Sequence, residues 1–296
     1  MKDFHQYRCN IHDNLSHEYL ERIWLELENK SVSNFFMSWI WIGNWLKQHT
    51  QGHKTLVVYY GDEVVGCGII IENKSFFRNK YYLNHTGNTK LDQIWIEYNN
   101  FIIDIQHDKN VKLIISNKLH SMMSVFDKIV VGVSEYRCIE YLASNNMNSR
   151  NVWKATSYKI NFLKIKEKNI KFEDTFSRNF KQQIKRSIKK YNEHGELRLS
   201  EANSCIQANE WFDDMAKYHK KKWSDDSGFN NKNFINFHKA MINSDKNCKH
   251  IKILKLESAS HLVGYVYMYI YNKEAYFYLS ALNYNLPHRH CKPGLT

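Results

Sequence analysis

The C-terminal third of the chain contains the pattern that most restricts the fold: three apolar, strand-like runs joined by short turns. The runs cover residues 250–257, 262–271 and 275–284, and the turns are Ser258-Ala259-Ser260 and Asn272-Lys273-Glu274. Apolar runs of this length between turn residues are typical of β-strands. The pattern predicts an antiparallel meander of three strands.

Three predicted helices precede the meander. The first covers residues 178–194, with Ser177 as N-cap and Gly195 just beyond its end. The second opens with Ser204 and Gln207 at capping-box spacing, and the third covers about residues 232–242. Helical spacing predicts the buried residues of the first two helices: Phe180, Ile184, Ile188 and Tyr191, then Trp211, Met215 and Tyr218.

The N-terminal half repeats this order of helices followed by strands. Helices are predicted around residues 20–27 and 35–46, and a β-hairpin turns at Gly61-Asp62. Further strands are predicted at 94–103, 111–116 and 129–134, with short helices near residues 122 and 139. A polar segment at 144–151 separates this half from a strand-like run at 153–163.

These patterns predict an α/β (α+β) fold made of two related halves, residues 1–150 and 151–296. Each half is expected to hold a mixed, mostly antiparallel sheet with flanking helices, and the two halves are expected to superpose.

Composition narrows the class of protein. The 296 residues carry a net charge of +12, which favours an anionic partner such as nucleic acid, an anionic membrane surface or coenzyme A. The many Lys, Asn and Ile residues are equally expected from an AT-rich genome. No apolar run is long enough for a membrane helix, and the six cysteines form no CxxC pair, so a cytoplasmic protein is expected.

Several common chemistries lack their motifs. The chain contains no GxGxxG and no GxxxxGK[ST] sequence, which removes the support for a Rossmann or P-loop nucleotide site. The fifteen histidines form no HExxH motif, so no metal site is expected.

Six segments, in order, resemble one bacterial family. They are residues 95–101, 177–187, 229–238, 262–268 and 292–296, together with the dipeptide Lys222-Trp223. The chain resembles the acetyltransferase-like branch of the GNAT superfamily, similar to cellulose-biosynthesis-type acetyltransferases and to Fem-type aminoacyltransferases. The resemblance extends over residues 33–296.

This resemblance implies two GNAT-like halves, with acyl-CoA bound as co-substrate by the second half. In such a site, a strand N–H polarises the thioester carbonyl and the next helix N-terminus receives the pyrophosphate. The implied cofactor-binding residues are Tyr278, Ser280, Arg289, Lys292 and Gly294. Only two residues follow Gly294, so we expect the second half to stop short and the chain to turn over acyl-CoA poorly.

Glu97 is the candidate catalytic residue, and Tyr98 and Asn99 beside it are candidate substrate-binding residues. A carboxylate in a partly apolar cleft has a raised pKa suited to accepting the proton of an attacking amine. Glu97 is therefore expected to face a cleft between the halves, near Trp223 or Tyr278. Substrate binding and a structural or solvated role are the alternatives.

The remaining candidate substrate-binding residues are cationic or aromatic. Arg178, Lys181 and Lys185 lie on the basic face of the helix at 178–194, where they could bind a polyanionic substrate or the phosphates of CoA. A charged face that is merely solvated is the alternative. Trp223 could line a substrate pocket or belong to the core.

The predicted function is therefore an N-acyltransferase that moves an acetyl or longer acyl group from acyl-CoA to an amine. The acceptor is expected to be an amine-bearing small molecule, such as a sugar or cell-envelope precursor. The alternatives are an aminoacyltransferase that uses charged tRNA and a catalytically silent, anion-binding fragment.

Overall fold

The computed structural model describes residues 6–49, 52–143, 149–259, 261–285 and 293–295. Within these ranges the fold is mixed α/β, with two sheets of six and four strands. The strands are β1 (Tyr7–Asp13), β2 (His53–Tyr60), β3 (Glu63–Asn73), β4 (Lys80–Leu83), β5 (Ile102–Ile103), β6 (Lys128–Val130), β7 (Leu197–Glu201), β8 (Ile251–Ser258), β9 (His261–Tyr271) and β10 (Glu274–Leu282). The α-helices are α1 (His17–Lys30), α2 (Trp39–Gln48), α3 (Asp108–Met122), α4 (Tyr136–Ile139), α5 (Phe162–Glu167), α6 (Arg178–Asn192), α7 (Cys205–Trp223) and α8 (Lys232–Ser244).

The first sheet has the order β1-β2-β3-β4-β6, and β5 also pairs with β3. All its pairs are antiparallel except the parallel pair of β4 and β6. The hairpin of β2 and β3 turns at the predicted position, where Gly61 has φ +58°, a backbone angle that favours glycine. Helix α3 covers this sheet, and its Val111, Ile115 and Leu119 are fully buried.

Three strand predictions in the N-terminal half were wrong wholly or in part. Residues 111–116 belong to helix α3, because Val111, Ile115 and Leu119 recur every four residues along one buried helical face. Residues 94–103 form a 3₁₀ turn (Asp92–Ile94), an irregular loop and the short β5. Only Lys128–Val130 forms a strand within the predicted run at 129–134, and strands β1 and β4 were not predicted.

The first two predicted helices exist, and the second is divided. Helix α1 buries the predicted Leu20, Ile23, Trp24 and Leu27. The segment 35–46 begins as a 3₁₀ turn (Phe35–Met37), and Ser38 then caps α2 by accepting a hydrogen bond from the Trp41 N–H group. The cap residue interrupts the helix because its backbone is extended.

In the C-terminal half, the three predicted helices and three predicted strands are present in order. Residues 153–161 are irregular and form no strand, and helix α5 and strand β7 were not predicted. Helix α7 has the predicted capping box: the Gln207 N–H donates to Ser204 Oγ, and Gln207 Oε1 accepts from the Asn203 N–H. It buries Met215 as predicted, together with Phe212, whereas Trp211 and Tyr218 are half-buried. The meander is present and extends the second sheet, whose order is β10-β9-β8-β7.

The buried face of α6 agrees with the predicted stripe only in part. Tyr191 is buried as predicted, together with Ser187, whereas Ile184 is half-buried and Phe180 and Ile188 are each 37% exposed. The C-terminal turn of α6 packs closely, since Ser258 Oγ lies 2.9 Å from the Tyr191 carbonyl oxygen and donates to it. Helical spacing identified an apolar face but not the part of it that the fold covers.

The chain divides into two compact units that are not contiguous halves. Unit 1 contains residues 1–149, 226–250 and 269–276, and unit 2 contains residues 150–225, 251–268 and 277–296. The tip of the β9–β10 hairpin and helix α8 therefore belong to unit 1. That the two sequence halves are related folds stays a prediction.

No helix within the described part of the chain is long and apolar enough to cross a membrane.

Candidate functional site

The loop between Trp95 and Tyr98 carries Glu97 and has an unusual backbone. Trp95 has φ +49° and Tyr98 has φ +51°, so two bulky aromatic residues occupy the left-handed region. Each such residue costs on the order of 1–3 kcal/mol and persists only where its surroundings enforce it. Strain of this kind is concentrated at active sites and ligand clamps, which makes this loop the first candidate for function.

Two later segments of unit 1 contact the Trp95 end of the loop. The ring of Trp95 lies 5.5 Å from that of Phe234 on α8, centroid to centroid. A Cβ atom placed on Gly228 would lie 3.1 Å from both Trp95 and Phe234. The indole ring therefore packs closely against Gly228, and a larger residue there would require the Trp95 or Phe234 ring to shift.

The Tyr98 end of the loop is held by a hydrogen bond and by aromatic rings. Asn34 Nδ2 donates to the Tyr98 carbonyl oxygen at 3.0 Å. The Tyr98 ring lies 6.1 Å from the ring of Phe36 and 6.0 Å from the ring of Tyr276. The Tyr276 hydroxyl donates to Glu274 at 2.7 Å, and burial together with this carboxylate raises the pKa of Tyr276. Tyr276 therefore stays protonated near neutral pH.

Asn99, a predicted substrate-binding residue, is fully buried in an amide network. Its Nδ2 donates to the carbonyl oxygens of Leu83 at 2.7 Å and of Val131 at 2.6 Å, and its Oδ1 accepts from Asn84 Nδ2 at 2.8 Å. Both amide hydrogens are therefore used within unit 1. Asn99 therefore has a structural role: its hydrogen bonds anchor the loop just after Tyr98.

Glu97 lies in this anchored loop, and its side chain is half-buried. Burial raises the pKa of its carboxyl above the ordinary value, and no charged or hydrogen-bonding partner among the described residues offsets that effect. A carboxylate without a partner in a partly desolvated position gains free energy by accepting a proton or by binding a cation. An amine substrate offers both.

The cationic candidates on α6 belong to unit 2. Arg178 and Lys185 are exposed and form no ion pair with a described residue, whereas Lys181 Nζ lies 2.9 Å from Asp174 Oδ1. The salt bridge leaves Lys181 less available to a ligand than the other two cations.

Trp223 ends α7 and is 49% exposed, so it is not a core residue. The ammonium group of Lys222 lies 5.4 Å from the centre of the Trp223 ring and 4.9 Å from that of Tyr284. Lys222 also donates to the Tyr284 hydroxyl at 2.9 Å. In unit 2, Lys222 is thus held between two aromatic rings by cation–π contacts.

The predicted cofactor residues lie at the C-terminal end of unit 2. Tyr278 and Ser280 are half-buried on the same face of β10, and the Tyr278 ring lies 5.7 Å from Tyr267. Gly294 is exposed, whereas Arg289 and Lys292 lie outside the described residues. The expected placement of Glu97 near Trp223 or Tyr278 stays a prediction.

Sequence reasoning missed two residues of the site, Phe234 and Tyr276. Phe234 lies in the block 229–238, which was used only for the family resemblance. Tyr276 shares one strand face with Tyr278 and Ser280 by alternation, which indicates a possible pocket position but not its contact with Tyr98. Their contacts with the loop depend on segments that are distant in sequence, and a single chain gives no signal for such a contact.

Among the described residues, no three or more His, Cys, Asp or Glu side chains lie close enough together to hold a metal ion.

Comparison with known proteins supports an acyltransferase. The model of the family described as acetyltransferase (GNAT) domain matches residues 178–296. No curated protein matches the chain. FemX, a solved structure, is similar over 83% of this chain and 57% of its own, at 10% identity and a TM-score of 0.45.

Two shorter structures are also similar. A possible acetyltransferase from Clostridium difficile 630 matches 52% of this chain and 98% of its own, with 10% identity and a TM-score of 0.32. Glucosamine-6-phosphate N-acetyltransferase from Arabidopsis thaliana matches 51% of this chain and 99% of its own, with 11% identity and a TM-score of 0.28.

The family match defines the class of the protein, which is an acyltransferase enzyme. Residues 178–296 match the acetyltransferase (GNAT) domain model, in agreement with the resemblance that the sequence segments predicted.

Proposed function

We propose that the protein transfers an acetyl or longer acyl group from acyl-CoA to an amine, with Glu97 as the general base. The observation that carries this proposal is the half-buried Glu97 carboxylate, whose pKa is raised by burial and which has no partner among the described residues. Acyl-CoA is the co-substrate of GNAT acetyltransferases, and the domain match covers residues 178–296.

In the proposed reaction, the amine nitrogen attacks the thioester carbonyl carbon. A nitrogen–carbon bond forms, the carbon–sulfur bond breaks, and CoA leaves as the thiolate or thiol. The nitrogen must lose a proton, and the Glu97 carboxylate accepts it. General base catalysis of this kind contributes roughly 10²- to 10⁴-fold to the rate.

The aromatic residues around Glu97 fit this role. Tyr98, which we propose as a substrate-binding residue, and Tyr276 place apolar ring surface beside the carboxylate's loop. Low local polarity keeps the pKa of the base raised and strengthens its attraction for an ammonium group. The acceptor class that we propose is an amine-bearing sugar or cell-envelope precursor.

The anionic part of acyl-CoA requires cations. We propose that Arg178 and Lys185 on α6 bind its phosphates, with Lys181 in a lesser role, and that Trp223, Tyr278, Ser280 and Gly294 contribute to the ligand surface of unit 2. The first two cations have no ion pair with a described residue, which leaves their charge available. We place the reaction in the cytoplasm, consistent with the buried free thiols of Cys67 and Cys248.

A tRNA-dependent aminoacyl transfer is the second candidate, favoured by the same exposed cations of α6. The two functions differ in their donor. Acetyl-CoA at 100 times its dissociation constant stabilises a binding protein by about 2.7 kcal/mol, which a thermal shift detects. Salt-sensitive binding of tRNA without a thermal shift from acetyl-CoA would favour the second candidate.

The decisive experiment measures thiol release from acetyl-CoA in the presence of amino sugars, for the wild-type chain and for Glu97→Gln. We expect slow, acceptor-dependent thiol release, in line with the poor turnover that the resemblance implies, and the substitution should reduce it at least about a hundredfold. Equal rates for both proteins would remove Glu97 from the mechanism.

A further inference from the structure

Two neighbouring loops of unit 1 expose large apolar side chains that the fold leaves uncovered. The first loop follows β3 and contains Phe76 and Phe77, which are 93% and 82% exposed. The second follows α3 and contains Val125 and Phe126, which are 97% and 68% exposed. Exposed apolar residues are common singly, but four on adjoining loop tips indicate an interaction surface.

Backbone hydrogen bonds hold the two loops together. Asp127 Oδ1 accepts from the Asn79 N–H at 2.8 Å, and the Lys128 N–H donates to the Asn79 carbonyl oxygen at 3.1 Å. The other carboxylate oxygen of Asp127 accepts from the Ser124 N–H at 2.8 Å. The parallel pairing of β4 with β6 then continues from the same junction, with Lys80 opposite Lys128. The two tips therefore form one surface.

Cations surround the apolar tips. Lys74, Arg78, Lys80 and Lys128 are all exposed, and none of them forms an ion pair with a residue that the structure describes. The first three line a groove of about 670 Å³ together with Phe77 and Phe126. The nearby Asp127 is occupied by backbone N–H groups, which lower the pKa of its carboxyl, and Glu72 pairs with Lys54 at 3.1 Å. The surface is therefore strongly positive.

We propose that these two loops, residues 74–80 and 124–128, dock on an anionic lipid bilayer surface. The apolar tips would enter the boundary between headgroups and acyl chains, while the surrounding cations meet lipid phosphates and carboxylates. A protein partner fits less well, because the cores of protein interfaces are depleted of lysine, whereas here lysine and arginine surround every apolar tip. The docking does not depend on the acyltransferase proposal.

The test is co-sedimentation of the full chain with large unilamellar vesicles. Vesicles of phosphatidylcholine with phosphatidylserine should bind the protein, and vesicles of phosphatidylcholine alone should bind it at least about tenfold more weakly, because each cation near an anionic surface contributes about a fivefold factor. Raising the salt concentration should weaken the binding.

Two double variants locate the surface. Phe76→Ser with Phe77→Ser should weaken vesicle binding at least about tenfold through lost apolar burial. Lys74→Gln with Arg78→Gln should weaken it by roughly 25-fold on phosphatidylserine vesicles and much less on neutral ones. All four side chains are exposed, so these variants should fold normally, which circular dichroism checks.

The matched control is Phe180→Ser with Ile188→Ser on α6, because these apolar residues also lie beside cations. This variant should bind vesicles like the wild type. Loss of binding in the control with full binding in the loop variants would overturn the proposal, and so would the absence of any binding to phosphatidylserine vesicles.

Discussion

The rings of Tyr98 and Tyr276 lie 6.0 Å apart, centroid to centroid, with their planes inclined at 69°. This near-perpendicular arrangement directs the edge of one ring toward the face of the other, a favourable contact worth about 0.5–1.5 kcal/mol. Tyr276 lies at the tip of the β9–β10 hairpin, which belongs to unit 1. The loop that carries Glu97 is therefore held in part by a segment near the C-terminal end of the chain.

The first prediction concerns the chemistry of Glu97. Glu97→Gln keeps the shape of the side chain but removes the proton acceptor, so kcat should fall by about 10²- to 10⁴-fold in an acetyl-CoA thiol-release assay. The wild-type rate should also fall as pH decreases through the raised pKa of Glu97. The exposed Glu21→Gln is the control and should retain full activity. An unchanged Glu97→Gln enzyme would contradict the assignment.

The second prediction concerns stability and pH. Because burial raises the pKa of Glu97, the folded protein holds this proton more tightly than the unfolded chain. Ionised Glu97 therefore lowers the free energy of unfolding. This loss of stability is fully present above the raised pKa that Glu97 has in the folded protein, and it is absent below the ordinary pKa that Glu97 has in the unfolded chain. Glu97→Gln should raise Tm at pH 7, with the difference disappearing near pH 4. Thermal unfolding at several pH values measures this, and a lower Tm at pH 7 would show that the carboxylate has a favourable partner.

The third prediction concerns the amide network below the loop. Asn99→Ala removes the side-chain donor to the Val131 carbonyl oxygen and the acceptor of the Asn84 amide, and it takes one of two side-chain contacts from the Leu83 carbonyl oxygen, which keeps His85 Nδ1 at 2.7 Å. Each buried group left unsatisfied costs about 1–3 kcal/mol, so the free energy of unfolding should fall by at least about 2 kcal/mol. The exposed Asn29→Ala on α1 should change it by less than about 0.5 kcal/mol. Equal effects in urea denaturation would mean that the network contributes no net stability.

The fourth prediction concerns the face of α6. Tyr191 is fully buried, so Tyr191→Ala should cost unit 2 about 3–5 kcal/mol, the usual range for a large buried aromatic residue. Ile188→Ala should cost less than about 1 kcal/mol because its side chain is 37% exposed. Ile184→Asp should be milder than Tyr191→Ala, since a charge at a half-buried position reaches water. Urea denaturation followed by circular dichroism ranks the three variants, and the reverse order would show that Ile184 and Ile188 are more deeply buried than Tyr191.

Local sequence signals were sufficient to predict several elements. The Gly61-Asp62 turn between two apolar runs specified the β2–β3 hairpin, and the Ser204–Gln207 spacing specified the start of α7. Helix α1 was specified by Leu20, Ile23, Trp24 and Leu27 on one face. These signals arise from backbone angles, caps and side-chain periodicity within a few residues, so no distant contact is needed to interpret them.

Tertiary structure decided what the local pattern left open. Residues 111–116 are a short, β-branched apolar run that suits a strand or a helix, and packing on the first sheet selected the helix. The run at 94–103 forms a strained loop in place of a paired strand. Phe234 packs on Trp95, and Asn34 and Tyr276 contact Tyr98. The amide network of Asn84 and Asn99 anchors the residues that follow. The candidate site shows the same division. The sequence selected Glu97, but the contacts that hold the residues on either side of it come from segments far apart in the chain, which only folding brings together.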